Sequence, residues 1–86
     1  MKEVRWDLIK NEKLKSSRGT SFEDLLSTGK LVAAKKHPKK KNQEILLFDY
    51  KNYIWIVPYV KQKDGSLFLK TLYPSRKFTK TLKRDE

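Results

Sequence analysis

The hydrophobic pattern of the chain changes its period at Lys30, and this change limits the folds that the chain can adopt. Before Lys30, apolar residues recur at helical spacing in two short segments. After Lys30, four runs rich in branched and aromatic residues have the pattern of β-strands. Two helices followed by strands are typical of an α+β domain, in which the helices form one layer on a mostly antiparallel sheet of about four strands. With 86 residues, the chain has room for a single domain over 1–86.

The first helix has signals at both ends. Val4 and Trp6 alternate with charged residues and predict a short strand, and Asp7 after them suits a helix N-cap. A helix over 8–17 follows, and Gly19 supplies its C-terminal stop. The apolar stripe of this helix is thin, so the helix depends on packing against the sheet. One face is formed or flanked by Ile9, Lys10, Lys13, Leu14 and Ser17.

The second helix begins with one of two possible capping boxes. Thr20 with Glu23, or Ser21 with Asp24, has the required spacing. Apolar residues directly after the cap give this helix a face for the sheet, and we expect the helix to end at Gly29.

Turn-forming residues separate the strand-like runs. The segments 49–52 and 63–66 have turn chemistry, and Asp64-Gly65 is a strong hairpin signal. The last three strands are therefore predicted to form an antiparallel meander. The four runs cover 31–34, 45–48, 53–60 and 67–73.

Two prolines constrain the second half of the chain. Pro58 interrupts the third run, and because proline cannot donate a ladder hydrogen bond, it predicts a bulge or a position where that N–H would face no partner. From about Pro74 onward the chain is basic and poor in apolar residues. We expect this segment to be a basic tail outside the core.

The chain carries a formal charge of +11, far more than solubility requires. Lysines crowd around His37, and every charged residue between Lys70 and Arg84 is a cation. Lysine runs alone are also typical of solvated loops and tails. The total excess nevertheless indicates a polyanionic partner, such as RNA.

The chain lacks the residues that several kinds of protein chemistry require. With no cysteine and a single histidine, the chain has no basis for a disulfide or a zinc site. Its three glycines stand apart, so no phosphate-binding loop is present and we expect no cofactor. The apolar runs are too short for a membrane span or a signal segment. These observations favour a soluble cytoplasmic protein without membrane contact.

A basic chain can cleave RNA without a metal ion, because the substrate supplies its own nucleophile, the 2′-OH. His37 is then a candidate base, and Arg76 with Lys77 is placed after the last strand, where a guanidinium can hold a phosphate. Tyr73 lies close enough in the chain to contact the same substrate. The alternative interpretations are an exposed loop residue for His37 and a surface tail for Arg76.

Motifs along nearly the whole chain, in one order and spacing, resemble the BrnT-like toxins of bacterial type II toxin–antitoxin modules. They are Trp6-Asp7-x-x-Lys10-Asn11, seven further residues and then Gly19-x-Ser21-Phe22-Glu23-Asp24, His37-Pro38, Asn42-Gln43, and Leu69-Lys70-Thr71-Leu72-Tyr73-Pro74-Ser75-Arg76-Lys77-x-Thr79-Lys80. The resemblance implies a RelE-like fold and a metal-free endoribonuclease that suppresses translation. It also implies a cognate antitoxin, acidic or of the ribbon-helix-helix type, that forms a hetero-oligomer with the toxin. We expect an acidic antitoxin to cover the cations between Lys70 and Arg84.

The resemblance and the residue chemistry together suggest a role for each candidate. Where many family members have Lys-His before the glycine, this chain has Ser17-Arg18, so an imidazole is missing there, although Arg18 can hold a phosphate. The expected catalytic residues are Arg76, Lys77, His37 and Arg18, and the expected RNA-binding residues are Lys10, Tyr73, Lys70 and Lys80. Two alternatives remain open: a non-catalytic basic nucleic-acid-binding protein, and an inactive toxin-like protein that binds an acidic partner.

Overall fold

The computed structural model describes residues 3–37, 39–40 and 43–83, with only the backbone described at Lys83. Pro38, Asn42 and Arg84, which the sequence singles out, lie outside these ranges. The described chain forms an α+β domain, as predicted, with six strands rather than about four and with a third helix after them. The elements are β1 (Val4–Trp6), α1 (Leu8–Arg18), α2 (Phe22–Ser27), β2 (Lys30–Lys36), β3 (Glu44–Tyr50), β4 (Tyr53–Lys61), β5 (Leu67–Leu69), β6 (Tyr73–Pro74) and α3 (Arg76–Lys83).

The predicted caps define the two N-terminal helices. The carboxylate of Asp7 accepts hydrogen bonds from the N–H groups of Ile9 and Lys10, at 2.9 and 3.1 Å, and so begins α1. Gly19 ends α1 with a φ of 72°, a left-handed conformation that glycine adopts without steric cost. Of the two possible capping boxes, the chain uses Ser21 with Asp24.

Buried Asn11 joins α1 to α2. Its Oδ1 accepts a hydrogen bond from the backbone N–H of Phe22 at 2.9 Å, and its Nδ2 donates to the carboxylate of Glu23. A second connection is the ion pair between Lys15 and Asp24, at 2.6 Å. The two helices therefore form one layer, as the sequence predicts.

The sheet has the order β1-β5-β4-β3-β2, and β6 also pairs with β4. β1 runs parallel to β5, and all the other pairs are antiparallel, including the predicted meander of β3, β4 and β5. Lys51 and Asn52 join β3 to β4, with φ values of 51° and 63°. Two consecutive positive φ values are typical of a type I′ hairpin turn, which matches the twist of the strands.

Pro58 marks a break in the neighbouring strand. The predicted strand over 67–73 is divided in two, because β5 pairs with β4 at Tyr59–Lys61 and β6 pairs with it only at Trp55 and Ile56. Pro58 lies between these two segments of β4 and has no N–H to donate. Its carbonyl still accepts a hydrogen bond from the N–H of Lys70, at 2.8 Å. The pairing also shifts by one residue at this point, because Tyr59 lies opposite Leu69 and Ile56 lies opposite Tyr73. Both predicted features, a bulge and a position without an N–H donor, therefore occur at Pro58.

The two faces of the sheet carry two apolar clusters. The first face lies under α1 and α2, and its cluster includes Leu14, Phe22, Phe48, Trp55 and Tyr59. The aromatic residues of β4 on this face are therefore core residues rather than a platform for nucleobases. No helix in the described ranges is long and apolar enough to cross a membrane.

The second face lies under α3, and the structure corrects the prediction of a tail outside the core. Ile45, Leu47, Ile54 and Ile56 form its cluster, and Phe78 of α3 packs against it. Because alternate residues of β3 and β4 point to opposite faces, both faces of these central strands are buried. Phe78 supplies the apolar contact that the basic composition of this segment conceals.

Candidate nucleic-acid interface

A cavity of about 540 Å³ lies beside α1 on the first face of the sheet. Two of the predicted residues, Lys10 and Arg18, line it together with Lys13. Asp7 also lines it, but its carboxylate already caps the helix. We call this cavity the α1 pocket; its other lining residues are Ile9, Leu14, Ser17 and Thr71.

The α1 pocket is positively charged. In the part of the chain that the structure describes, no ion pair is made by Lys10, Lys13 or Arg18. Lys13 and Thr71 are absent from the predicted site residues. Lys13 was detectable, because it follows Lys10 by three residues on the same helical face. Thr71 could not be predicted from the sequence, because only the tertiary fold brings it to α1.

Three further residues form a row along β4 on the second face. Phe68 lies opposite Val60, Tyr73 lies opposite Ile56, and Lys70 lies between them. The Nζ atom of Lys70 is 5.6 Å from the centroid of the Phe68 ring, within the range of a cation–π contact. Since every second residue of a strand is about 7 Å further along, the row is about 14 Å long. We call Phe68, Lys70 and Tyr73 the second-face row.

Phe68 is the member of this row that sequence analysis missed. It is half-buried, and its ring carries a lysine rather than packing under a helix. The sequence does contain an indication of this pair, because Phe68 and Lys70 have the spacing that places two residues of a strand on one face. An aromatic ring beside a cation is the combination that binds a base and its phosphate.

The basic α3 begins where the row ends. Ser75 follows β6, and its Oγ accepts a hydrogen bond from the N–H of Phe78 at 3.1 Å, which caps the helix. Arg76 and Lys77 then form the first turn, with Lys80 one turn later, and all three are exposed. Cations at a helix N-terminus add to the positive end of its dipole instead of offsetting it. This end of the row therefore has a positive potential.

Two acidic residues, Asp24 and Glu44, are engaged elsewhere in the fold. The pKa of Asp24 is lowered by its hydrogen bond from Lys15 and by the N–H of Ser21. The pKa of Glu44 is lowered chiefly by the hydrogen bond from the Tyr59 hydroxyl. Burial, reinforced by the bond to Glu44, raises the pKa of Tyr59 to about 12. None of the ion pairs found among the described residues involves a cation of α3.

His37 has a structural contact. Its Nδ1 accepts hydrogen bonds from the backbone N–H groups of Lys39 and Lys40, at 3.1 and 3.2 Å. In a neutral imidazole one nitrogen accepts and the other carries the proton. The accepting nitrogen of His37 is thus occupied by the loop, which agrees with the interpretation of His37 as a loop residue.

The predicted site residues fall into separate groups. Lys10 and Arg18 lie on α1, on the first face of the sheet, and they are brought together in the α1 pocket. The second-face row adjoins the start of α3. Most of the other predicted residues lie in these two places, namely Lys70, Tyr73, Arg76, Lys77 and Lys80. His37 follows β2, at the edge of the sheet. In the described ranges, no three histidine or acidic side chains are grouped so that they could hold a metal ion.

The arrangement of these layers is similar to that of a solved structure, the Brucella abortus ribonuclease toxin BrnT. The two share 17% sequence identity and a TM-score of 0.58, over 87% of this chain and 97% of that one. The chain has a BrnT-like fold. The likeness of the fold to BrnT, which the sequence motifs implied, is thereby confirmed. No protein-family model and no curated protein matches the chain.

At 17% identity, the BrnT-like fold describes the path of the backbone and not the role of any side chain. Residue roles have to be argued from the chemistry of this chain. Among the described residues, that chemistry includes a basic surface on each face of the sheet whose cations make no ion pair. The two surfaces differ in their apolar partners, which are aromatic in the second-face row and aliphatic in the α1 pocket.

Proposed function

We propose that this protein is the toxin of a bacterial type II toxin–antitoxin module and acts as a metal-independent endoribonuclease that inhibits translation. The BrnT-like fold supports the proposal. The observation that carries it further is the continuity of the second-face row with the first turn of α3. Aromatic and cationic side chains alternate along that path, as a single RNA strand requires.

In the proposed reaction, the 2′-OH of one nucleotide attacks the adjacent phosphate, and the 5′-oxygen of the next nucleotide leaves. Arg76, assisted by Lys77, stabilises the charge that develops on the pentavalent phosphate. A fixed guanidinium is suited to this role, since it can donate two parallel hydrogen bonds to phosphate oxygens. A single donor of this kind contributes about 10²–10³ in rate.

The remaining residues of the second face position the substrate. Tyr73 and Phe68 stack on bases, while Lys70 and Lys80 bind flanking phosphates. His37 has no part in this version of the mechanism, because its accepting nitrogen is bound to the loop. Water accepts the proton of the 2′-OH, and a water molecule supplies a proton to the departing 5′-oxygen, which leaves as a hydroxyl group. Lys10 and Arg18 are also outside it, because they lie on the opposite face of the sheet.

One observation favours an alternative function. With Nδ1 of His37 engaged, the row and α3 contain cations and aromatic rings but no free imidazole or carboxylate that could accept a proton. Such a surface can bind RNA without cleaving it. A non-catalytic RNA-binding protein is therefore the second candidate.

Measuring RNA cleavage in the presence of a chelator distinguishes the endoribonuclease from the non-catalytic RNA-binding protein. We expect the purified protein to cut single-stranded or loop RNA in EDTA and to leave 2′,3′-cyclic phosphate ends, which end-group analysis detects. Activity that disappears with EDTA and returns with magnesium would contradict the proposed chemistry. Tight binding with no cleavage would establish the second candidate instead.

The proposed toxin function also predicts an effect on bacterial growth. Expression of the chain alone should arrest growth, and co-expression of a neighbouring gene that encodes an acidic or ribbon-helix-helix protein should relieve the arrest. That partner and this chain should then purify together as a hetero-oligomer. Unimpaired growth at a high level of folded protein would argue against a toxin.

A further inference from the structure

The α1 pocket has an apolar component that the proposed nuclease does not use. Ile9, the second residue of α1, is 67% exposed. Ile9 lines the pocket together with buried Leu14, which lies five residues further along α1. Large aliphatic side chains that are this exposed contribute little to the core of the domain.

Three cations surround this aliphatic surface. Lys10 and Lys13 lie one helical turn apart, about 5 Å along the axis, and Arg18 lies about 12 Å from Lys10. By contrast, Lys15 on another side of α1 is paired with Asp24. Hence the unpaired charge of the helix is concentrated on the face that also carries Ile9.

This combination fits a protein better than it fits a nucleic acid. Unpaired bases bind to proteins chiefly by stacking on aromatic rings, and the residues that line the α1 pocket include none. A peptide with carboxylates and aliphatic side chains complements both components of the pocket. The second-face row, which carries Phe68 and Tyr73, has the opposite character.

We propose that the α1 pocket binds an acidic amphipathic segment of a partner protein. An aliphatic side chain of that segment enters the cavity between Ile9 and Leu14. Its carboxylates pair with Lys10, Lys13 and Arg18, over a length of two helical turns. The partner leaves the second-face row uncovered, and the proposal holds whether or not the chain cleaves RNA.

The test uses the whole chain and three peptides of about four helical turns each. The first peptide has leucine on one face and glutamate on the other. The second has serine in place of each leucine, and the third has lysine in place of each glutamate. A labelled oligouridylate serves as the competing nucleic acid. Binding is measured by calorimetry and mapped by the amide shifts of the protein.

We expect the acidic amphipathic peptide to bind and to shift the amides of Ile9, Lys13, Arg18 and Thr71. The serine peptide should bind about tenfold more weakly, and Ile9→Ser should have an effect of similar size, since burying one aliphatic side chain contributes about that factor. Lys13→Gln should also weaken binding. Leu26→Ser, a change at another exposed leucine, on α2, should not.

Four results would overturn the proposal. Equal binding of the leucine and serine peptides would mean that charge alone attracts the peptide. Amide shifts confined to the second face would locate the interaction elsewhere. Displacement of the peptide by oligouridylate, with the same α1 amides shifted, would make the α1 pocket an RNA surface. If neither of the two acidic peptides bound, the proposal would likewise be excluded.

Discussion

The hydroxyl group of Thr79 accepts a hydrogen bond from the backbone N–H of Ile54 at 2.9 Å. The same hydroxyl donates to the carbonyl of Ser75 at 2.6 Å, and the N–H of Ser75 donates to the carbonyl of Ile54 at 2.8 Å. Both backbone groups of Ile54 thus bind the segment that begins α3. These bonds fix Arg76 and Lys77 relative to β4, where the proposed substrate path ends.

Replacing this hydroxyl should loosen α3. Thr79→Val keeps the shape of the side chain but leaves the Ile54 N–H without its acceptor. An unsatisfied buried group costs about 1–3 kcal/mol, so the melting temperature should fall by several degrees. Hydrogen exchange at the Ile54 amide should accelerate. The control is Thr81→Val, because Thr81 is exposed and its hydroxyl donates to the carbonyl of Lys77 in its own helix. Equal losses of stability in the two variants would contradict this prediction.

The capping box of α2 gives a second prediction. Ser21 accepts the N–H of Asp24 at 3.1 Å, and Ser21→Ala should lower the free energy of unfolding by about 1 kcal/mol, as measured by urea denaturation. Ser27→Ala, at the exposed end of the same helix, should change it by less than about 0.5 kcal/mol. The capping role would be refuted if the two serines proved equally dispensable.

The limits of α1 and α2 could be predicted because they depend on single residues with local preferences. Asp7, Gly19 and Ser21 act on the backbone within three residues of themselves. The choice of Ser21 over Thr20 was beyond sequence alone. The sequence could not predict the division between β5 and β6 either. This break depends on the strand register, which places Pro58 of β4 next to it.

α3 was missed because its stability is not local. Phe78 and Leu82 have helical spacing, but cations dominate the segment, and Leu82 remains 47% exposed. Phe78 is covered only because the second face of the sheet offers apolar residues from β3 and β4. For the same reason, the sequence could nominate Arg18 and Arg76 but not assign them to opposite faces.

Tyr59 provides a pH test of the packing beneath α1 and α2. Its hydroxyl donates to Glu44 at 2.7 Å, and burial raises its pKa from 10 to about 12. The folded state therefore disfavours the tyrosinate, so the contribution is complete below pH 10 and is lost as the pH rises toward 12. Unfolding free energy should fall across this window, and the fall should be smaller in Tyr59→Phe.

Comparing the two proteins cancels the contribution of every titratable group that they share. Absorbance titration of the folded wild type should show a tyrosine ionisation near pH 12, and that step should be missing in Tyr59→Phe. Parallel stability curves for the two proteins between pH 10 and 12 would mean that burial of Tyr59 does not control its ionisation.

In the proposed function, Arg76 stabilises the transition state of RNA cleavage. The most direct test of this role is the single-turnover cleavage rate in EDTA for the wild type, Arg76→Ala, Arg76→Lys and, as a control, Lys63→Ala in the exposed turn after β4. We predict a loss of about 10²–10³ in Arg76→Ala, a substantial loss in Arg76→Lys despite the retained charge, and no loss in Lys63→Ala. Cleavage by folded Arg76→Ala at the wild-type rate would contradict the account.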